Sequence, residues 1–354
     1  MQQPIVTGIL SYGMSGKVFH APFLSRHPGF VLHAVTERSK KLAVHDYPDI
    51  ISYDTVEDLL ADPEIGLVVV NTPNNTHAAF ARAALLAGKD VLVEKPFATS
   101  AAEAREVFEL GRSLGRKVLV YQNRRYSSDF MAAKSVIESC KLGRIIEVHL
   151  RFDRYRNFIG PKTFKESPVP GSGIFYDLVA HMIDQAISVF GMPVKAQKTL
   201  GKYREGTQVD DYGTIHLQFG GAVNVFITVS MLVAAPTPAI VIHGTQGSFI
   251  KELCDTQEEQ LMAGRFPDEP GFGEEPAGKE GSLTTVGANG QKETVPVHSL
   301  KGRYMEVFND VYATIREGRP YPVREDQVLC QMELLEMQKG DWTGQIAPTV
   351  VLFL

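Results

Sequence analysis

The sequence predicts an α/β protein in two parts. A doubly wound parallel sheet is expected over residues 1–121, and an α+β domain with a large, mostly antiparallel open sheet over residues 122–354. Three observations support this prediction. Short apolar runs alternate with helical patterns in the first part, which is typical of a parallel sheet. A glycine-rich turn follows the first apolar run. From residue 194 onward, alternating segments are separated by glycine turns, as in antiparallel strands.

The elements of the first part follow from its apolar runs. Strands are predicted at 5–10, 30–36, 51–53, 65–71, 90–93 and 117–121, and helices at 17–25, 56–61, 77–87 and 100–114. The run 65–71 is rich in β-branched residues, which indicates a strand buried on both faces. Thr76 is expected to cap the helix that follows it. Ligands bind at the carboxyl ends of such strands, where five residues are expected to converge: Gly13, Glu37, Thr72, Lys95 and Asn123.

The stretch from Gly8 to Gly16 has the order strand, glycine turn, helix. Glycines let the backbone approach a pyrophosphate, and free N–H groups at the start of a helix face the anion. The Rossmann pattern places glycines at 11, 13 and 16, and this chain has Ser11, Gly13 and Gly16. A dinucleotide site is the hypothesis, and an ordinary glycine turn is the alternative.

The choice of cofactor rests on two adjacent residues. Glu37 lies 21 positions after Gly16, where a carboxylate would bind the adenosine ribose and favour NAD. Arg38 could instead pair with the 2′-phosphate of NADP. Both could also be solvated residues at the end of a strand, so NAD and NADP both remain open.

Composition excludes several other classes of function. The 354 residues are 44% hydrophobic with a net charge of −5. The sequence has no Lys/Arg run, so a nucleic-acid partner is not expected. Cys140, Cys254 and Cys330 lie far apart, without the spacing of metal ligands. No signal-peptide pattern opens the chain, and no apolar run approaches the ~20 residues of a membrane span. We therefore expect a cytoplasmic protein without a membrane or metal partner.

The second part changes character after residue 121. Its predicted elements are helices at 129–139 and 173–190, strands at 145–155, 194–203, 212–219, 222–231, 239–243 and 248–250, and helices at 304–317 and 325–339. The last two helices are expected to pack on the first domain. Strand 145–155 ends in a basic-aromatic patch, which is either a solvated strand end or a substrate contact through Arg154 or Tyr155.

Asp177 and His181 are four positions apart on a predicted helix, so their side chains share one face, and Asp184 follows on the same side. A carboxylate next to an imidazole can raise its pKa and select its tautomer, which suits a general acid or base. A surface ion pair is the alternative. No spacing supplies further metal ligands, so no metal is expected.

Lys95 lies at the end of a predicted interior strand, within Glu94-Lys95-Pro96, where lysine is unusual. The glycine turn, Thr72-Pro73 with Thr76-His77, Glu94-Lys95-Pro96 and Asp177 with His181 together resemble the Gfo/Idh/MocA family of nicotinamide-dependent sugar and polyol dehydrogenases. Tyr12 to Pro22, Asn123-Arg124-Arg125 and Phe152 to Arg156 resemble a subgroup that contains NADP-linked scyllo-inositol dehydrogenases. The resemblance covers essentially the whole chain, but Ser11 and Glu37 depart from the pattern of the subgroup.

The resemblance implies hydride transfer between NAD or NADP and a ring hydroxyl or ketone of a sugar or polyol. It implies that His181 is the base or acid, Lys95 polarises the substrate oxygen and Asp177 orients His181, although the roles of His181 and Lys95 could be reversed. It also implies a homodimer or homotetramer formed through the C-terminal sheet. The residues expected to bind cofactor are Gly8, Ser11, Gly13, Met14, Ser15, Gly16, Glu37, Arg38, Thr72, Pro73, Asn75, His77, Glu94, Lys95 and Asn123, and those expected to contact substrate are Arg124, Arg154 and Tyr155.

Two other functions fit the same scaffold. A non-catalytic NAD(P)-binding sensor would keep the glycine turn without using the reactive residues. A reductase of an unrelated carbonyl or imine would use the same residues on another substrate. A screen of inositols, aldoses and ketoses with both cofactors separates these alternatives.

Overall fold

The fold is taken from a computed structural model, which describes residues 3–160, 166–338 and 340–343. Within these described residues, two sheets organise the chain, one of six strands and one of nine. This is the predicted fold: a parallel α/β sheet followed by a larger, mostly antiparallel one. Among the described residues, no helix is both long and apolar enough to span a membrane.

The first sheet is parallel throughout and has the strand order β3-β2-β1-β4-β5-β6. Its strands are β1 Ile5–Ile9, β2 Phe30–Thr36, β3 Ile51–Tyr53, β4 Leu67–Val70, β5 Asp90–Val93 and β6 Val118–Val120. The order reverses between β1 and β4, and at such a switch point the loops leave the carboxyl ends in opposite directions and open a crevice. The crevice lies beside the glycine turn.

Strand β4 shows why its sequence is a continuous apolar run. All four of its residues are buried. Val68 and Val70 belong to one hydrophobic cluster, whereas Leu67 and Val69 belong to a second cluster on the opposite face of the sheet. Because helices cover both faces, the strand needs apolar side chains in both directions.

The helices of the first part are α1 Ala21–Arg26, α2 Ala43–Asp46, α3 Val56–Ala61, α4 His77–Leu86 and α5 Ala101–Ser113. The predicted helix 17–25 begins with a wide π-helical turn at Gly16–His20, before α1. Ser100 caps α5, because its side chain accepts a hydrogen bond from Glu103 N. Thr76 was expected to cap α4 in the same way, but its hydroxyl donates to Pro73 O at 2.6 Å instead.

The second sheet has the order β14-β13-β12-β11-β7-β10-β9-β8-β15. Only β7 and β10 pair in parallel, and the other neighbours are antiparallel. Burial alternates along β9, so one face of the sheet is packed and the other is partly open. Its strands are β7 Ile145–Asp153, β8 Pro193–Gly201, β9 Tyr212–Phe219, β10 Val223–Ser230, β11 Ile240–Gly244, β12 Gly247–Lys251, β13 Gly281–Val286, β14 Lys292–Val297 and β15 Gly340–Thr343.

Helices of the second part pack against helices of the first part and so connect the two sheets. They are α6 Ser128–Glu138, α7 Ala180–Phe190, α8 Gln257–Met262, α9 Met305–Arg316 and α10 Glu325–Glu336, and a second π-helical turn, Phe175–Val179, leads into α7. Phe308 of α9 stacks on Phe23 of α1 with ring centroids 5.2 Å apart. Helix α10 packs against both α5 and α7. This packing brings α7 to the carboxyl ends of the parallel strands.

Candidate functional site

The glycine turn after β1 is held tightly on one side and open on the other. A Cβ at Gly16 would lie 2.0 Å from Ser11 O, so only glycine fits there. The same carbonyl accepts a hydrogen bond of 2.8 Å from Asn71 Nδ2 at the end of β4. A Cβ at the exposed Gly13 would meet only Ser11 Oγ, at 3.4 Å. The backbone at Gly13 is therefore accessible to a ligand, whereas Gly16 serves close packing within the turn.

Two other residues of this stretch differ in their environment. Gly8 is buried within β1, and a Cβ there would meet Leu59 Cδ2 at 2.9 Å. Gly8 therefore allows close packing on α3, which corrects its expected role in cofactor binding. The side chain of Met14 is half exposed beside Gly13, on the side open to a ligand.

Glu94 anchors the glycine turn to the end of β5. Its Oε1 accepts hydrogen bonds from Ser15 Oγ at 2.6 Å and His20 Nε2 at 2.9 Å. Burial opposes ionisation of this carboxyl, but the hydrogen bonds from His20 and Ser15 outweigh burial and lower the pKa of Glu94. Ser15 and Glu94, both expected to bind cofactor, are bonded to each other and position the turn. The sequence pattern did not single out His20 or Asn71, because neither lies at a fixed offset in the glycine motif.

Glu37 is turned into the protein. Its Oε1 accepts hydrogen bonds from Leu42 N at 2.8 Å and Ala43 N at 3.3 Å, and its Oε2 accepts one from Ser52 Oγ at 2.8 Å. Only 8% of the residue is exposed. The carboxylate therefore holds the start of α2, and this geometry argues against the expected contact with a ribose. Arg38, in contrast, is exposed, and within the described residues it has no ion-pair partner.

The loop after β4 is tied to the turn after β5 by His77. Nδ1 of His77 lies 2.8 Å from Pro96 O, and Nε2 lies 2.8 Å from Thr72 O. Burial lowers the pKa of this imidazole. The peptide bond between Lys95 and Pro96 is cis. His77 is thus a buried brace beneath the loop rather than a side chain open to cofactor.

The remaining loop residues retain accessible surface. Thr72 is partly buried and its Oγ1 bonds with Thr76 Oγ1 at 2.7 Å, whereas Pro73 and Asn75 are exposed. Asn123 is buried at the start of the short turn after β6. Thr72, Pro73 and Asn75 follow the carboxyl end of β4 at the switch point, and Asn123 follows the carboxyl end of β6.

Lys95 connects the two parts of the site. Its Nζ donates hydrogen bonds to Asp177 O at 2.8 Å and Asp177 Oδ1 at 3.1 Å. Asp177 lies in the π-helical turn that leads into α7, and His181 follows on α7 itself. The fold therefore brings Lys95 to the helical segment of Asp177 and His181, which begins about 80 residues later in the sequence.

His181 is buried, and the pKa of its side chain is shifted in the direction opposite to the one expected. The pKa of its imidazole is well below the ordinary value, because burial disfavours the charged form and the nearby cations of Lys95 and Arg124 oppose it further. Asp177 acts in the opposite direction but is outweighed. The raised pKa inferred from helix spacing is therefore wrong. Nδ1 is enclosed without a hydrogen-bond partner, so Nε2 is the ring nitrogen that remains open to a ligand.

Asp184 does not act on His181. Its carboxylate forms a bidentate ion pair with Arg125: Arg125 Nε donates to Asp184 Oδ2 at 2.8 Å, and Arg125 Nη2 donates to Asp184 Oδ1 at 2.7 Å. Arg124 pairs with Glu258 at 2.8 Å. The sequence shows Asp184 on the face of His181 but does not show Arg125, which comes from the end of β6.

Arg124 and Arg154 lie on the ring of Phe152, each with its Cζ 5.3 Å from the ring centroid. Tyr155 is 60% exposed and lies at the edge of the site. Among the described residues, no cluster of His, Cys, Asp and Glu could hold a metal ion.

The arrangement fits a dinucleotide. The open backbone at Gly13 leaves room for a pyrophosphate, and Arg38 lies at the end of β2, where the adenosine ribose would be held. Lys95 and His181 then provide a hydrogen-bond donor and a neutral base at the carboxyl end of β5. This combination suits removal of a proton from a hydroxyl as hydride leaves its carbon.

Comparison with known proteins gives the family. Residues 5–122 match the model of the oxidoreductase family with an NAD-binding Rossmann fold, and residues 130–250 match the GFO/IDH/MocA C-terminal domain. An uncharacterized oxidoreductase of Schizosaccharomyces pombe is 36% identical over 94% of this chain and 96% of that protein. The Bacillus subtilis scyllo-inositol 2-dehydrogenase (NADP(+)) IolW is 32% identical over 94% of this chain and 92% of its own. The crystal structure of an oxidoreductase from Bacillus cereus superposes with a TM-score of 0.88 at 31% identity, covering 97% of this chain and 99% of that one. The chain belongs to the Gfo/Idh/MocA family of oxidoreductases, and its cofactor is NAD or NADP.

Proposed function

We propose that the protein is a dehydrogenase that transfers hydride between NAD(P) and a ring hydroxyl or ketone of a sugar or polyol. The observation that carries this proposal is the hydrogen bonding of Lys95 Nζ to Asp177, one helical turn before the neutral imidazole of His181. The inositol dehydrogenase activity in the name of the relative IolW supports the substrate class. When bound, the nicotinamide supplies C4 as the hydride acceptor or donor.

Each residue has a distinct task in the proposed oxidation. His181 takes the hydroxyl proton on Nε2, since Nδ1 is enclosed. Lys95 donates a hydrogen bond to the oxygen on which negative charge develops. Asp177 holds the Lys95 ammonium in place through its carbonyl and carboxylate oxygens. The proton that His181 receives must return to solvent, which the low pKa of its imidazole favours.

The pH dependence of the rate tests this assignment. A base must be neutral to act, so the wild-type kcat/KM for oxidation should be constant near neutral pH and fall only well below pH 6.5. His181→Ala should lose about 10²–10⁴-fold in rate and lose the acid limb. Lys95→Met should lose about 10²–10³-fold, and its acid limb should move to higher pH, because a cation that lowers the pKa of His181 is gone.

The matched control is Lys117→Met, since Lys117 is an exposed lysine before β6, at the opposite end of the parallel strands. It should retain both the rate and the acid limb. If the limb persists in His181→Ala and disappears in Lys95→Met, the base is Lys95 instead. A screen of inositols, aldoses and ketoses supplies the assay substrate. Firm cofactor binding without turnover of any of them would refute the dehydrogenase and favour a sensor.

The same proposal includes a preference for NADP. Glu37 is held inside the protein, so its carboxylate does not repel a 2′-phosphate at the ribose position. Arg38 is exposed beside it and has donors for a phosphate. Arg38→Ala should weaken NADP binding about tenfold or more and leave NAD binding unchanged. The affinity of the same variant for NAD is therefore the control. Equal losses for both cofactors would contradict the preference.

The proposal also includes self-association through the open face of the second sheet. On that face the rings of His149, Phe226 and His216 stack across three adjacent strands, with centroids 5.1 Å and 4.3 Å apart. An aromatic row on a half-covered sheet is typical of a surface that another subunit covers. Light scattering should give the mass of a dimer or tetramer, and a monomer would contradict this part.

A further inference from the structure

Arg154 is a partly buried cation without an ion-pair partner in the described part of the chain. Its position is fixed by the main chain: Arg154 N donates to Ser230 O at 2.9 Å, and Arg154 O accepts from Val233 N at 3.0 Å. The guanidinium lies on the ring of Phe152. Other partly buried arginines are paired with carboxylates: Arg124 with Glu258, Arg125 with Asp184, Arg151 with Asp153, and Arg204 with Asp211 and Glu166.

An unpaired buried charge is unfavourable, because the protein replaces water around the cation without supplying an anion. Burial accordingly lowers the pKa of Arg154. A solvated strand end would avoid this cost, as the neighbouring Arg156 does by being exposed. The different environments of these two arginines indicate that Arg154 is placed for a ligand rather than for solvent.

Arg154 lies near the reaction centre, because its guanidinium shares the ring of Phe152 with Arg124, each Cζ being 5.3 Å from the ring centroid. Its charge lowers the pKa of His181, and the carboxylate of Asp177 acts on Arg154 in turn. Among the described residues, Lys95 is paired with Asp177 and Arg124 with Glu258. No ion pair of the described chain therefore balances the positive charge of Arg154, and an oxidised nicotinamide would bring a further positive charge to the site. A neutral polyol would not compensate either charge.

We propose that the substrate carries an anionic group, a carboxylate or a phosphate, in addition to the hydroxyl that is oxidised, and that Arg154 binds this group. The proposal rests on the dehydrogenase function proposed above. The guanidinium offers two parallel N–H donors, which match the paired oxygens of a carboxylate or phosphate. The ring of Phe152, 5.3 Å from Arg154 Cζ, restricts the guanidinium, so less side-chain entropy is lost when the anion binds.

The first experiment compares neutral sugars with sugars of the same ring configuration that carry an anionic group at C6. The pairs are D-glucose with D-glucuronate, D-galactose with D-galacturonate, and D-glucose with D-glucose 6-phosphate, each with saturating cofactor. The acidic member of at least one pair should bind at least tenfold more tightly by calorimetry to the NADPH-loaded protein, which has no hydride acceptor, and its kcat/KM with NADP should be higher by a similar factor. The uronates and the sugar phosphate distinguish a carboxylate substrate from a phosphate one. Equal binding within every pair, or binding of no member, would overturn the proposal.

The second experiment tests the residue. Arg154→Gln should raise the KM and Kd for the acidic sugar about ten- to a hundredfold and change those for its neutral partner by less than about twofold. The change should appear mainly in KM, because the anion lies away from the reacting carbon. Arg154→Lys should recover part of the affinity. Arg144→Gln, which removes an exposed arginine just before β7, is the matched control and should change neither value.

The two readouts separate this proposal from the one on which it rests. Tight binding of an acidic sugar that depends on Arg154, without any turnover, supports the anion site and refutes the dehydrogenase. Turnover of neutral sugars with no preference for the acidic partner supports the dehydrogenase and refutes the anion site. Loss of neutral and acidic binding alike in Arg154→Gln would assign Arg154 a structural role and overturn the proposal.

Discussion

The ion pair between Arg125 and Asp184 offers a quantitative test of how the site is assembled. Arg125 follows β6, and Asp184 lies on α7 three positions after His181. Their side chains are only 10% and 5% exposed. Arg125 also donates to Gln327 Oε1 at 3.0 Å and Pro322 O at 2.9 Å, so one guanidinium joins β6, α7 and the start of α10.

Arg125→Met removes both charged donors from Asp184 and leaves a buried carboxylate without compensation. Breaking a buried pair in this way costs about 3–5 kcal/mol. Two lost hydrogen bonds to a charged group, at about 1.5–3 kcal/mol each, lead to a similar figure. The double variant Arg125→Met/Asp184→Leu removes the stranded charge as well. It should lie within about 1–2 kcal/mol of the wild type, because apolar replacements of a buried pair are often neutral.

Denaturant unfolding followed by circular dichroism measures the free energies. Arg112→Met is the matched control, since it removes an arginine whose pair with Glu325 is largely exposed, and it should leave the free energy of unfolding almost unchanged. If Arg125→Met costs no more than the control, or if the double variant is as unstable as the single one, the pair does not hold α7 in place. The reasoning about desolvation would then be refuted.

Two further predictions concern the glycine turn and a buried lysine. Gly13→Ala should weaken cofactor binding and leave the free energy of unfolding almost unchanged, because its Cβ meets only Ser11 Oγ. Gly16→Ala should weaken cofactor binding and also lower the free energy of unfolding by about 1–3 kcal/mol, because its Cβ would overlap Ser11 O. Calorimetric titration with cofactor and denaturant unfolding distinguish the two variants, and equal stability losses would contradict the assignment. Burial lowers the pKa of Lys198 from 10.5 to about 8. Between these values the folded protein binds fewer protons than the unfolded chain, so it gains stability as pH rises, by less than about 3.4 kcal/mol because solvent screens part of the effect. Below pH 8 both states are protonated and the penalty is complete. Lys198→Met should abolish this gain, and a wild type whose stability relative to Lys198→Met is the same at pH 8 and pH 10 would contradict it.

The parallel sheet could be predicted from the sequence because its central strands, such as β4, are covered on both faces. Continuous apolar runs such as 67–70 then give strong local signals, and β2, β3 and β5 have the predicted bounds. The wide turns Gly16–His20 and Phe175–Val179 were not predicted, because an extra residue in a helical turn leaves the apolar pattern nearly unchanged. Topology also places Lys95 just beyond the carboxyl end of β5, but only the folded chain shows its hydrogen bonds to Asp177.

The roles of charged side chains were harder to predict than their positions. Spacing places a carboxylate near His181 but does not reveal that burial, together with the cations of Lys95 and Arg124, lowers the pKa of the imidazole. The direction of the Glu37 carboxylate depends on Ser52, fifteen residues away, on the neighbouring strand β3. Such partners meet only after the chain has folded, so no local pattern contains them.

A common rule explains which charges are left for ligands. The carboxylates near the cofactor crevice are used inside the protein: Glu37 holds the start of α2, and Glu94 holds the glycine turn. The cations at the two ends of the crevice, Arg38 and Arg154, have no carboxylate partner in the described chain. Placing carboxylates in structural roles and leaving arginines open makes both ends favour anions, through complementary charge rather than shape. Binding at both ends should therefore weaken as salt screens these charges, less for the partly buried Arg154 than for the exposed Arg38.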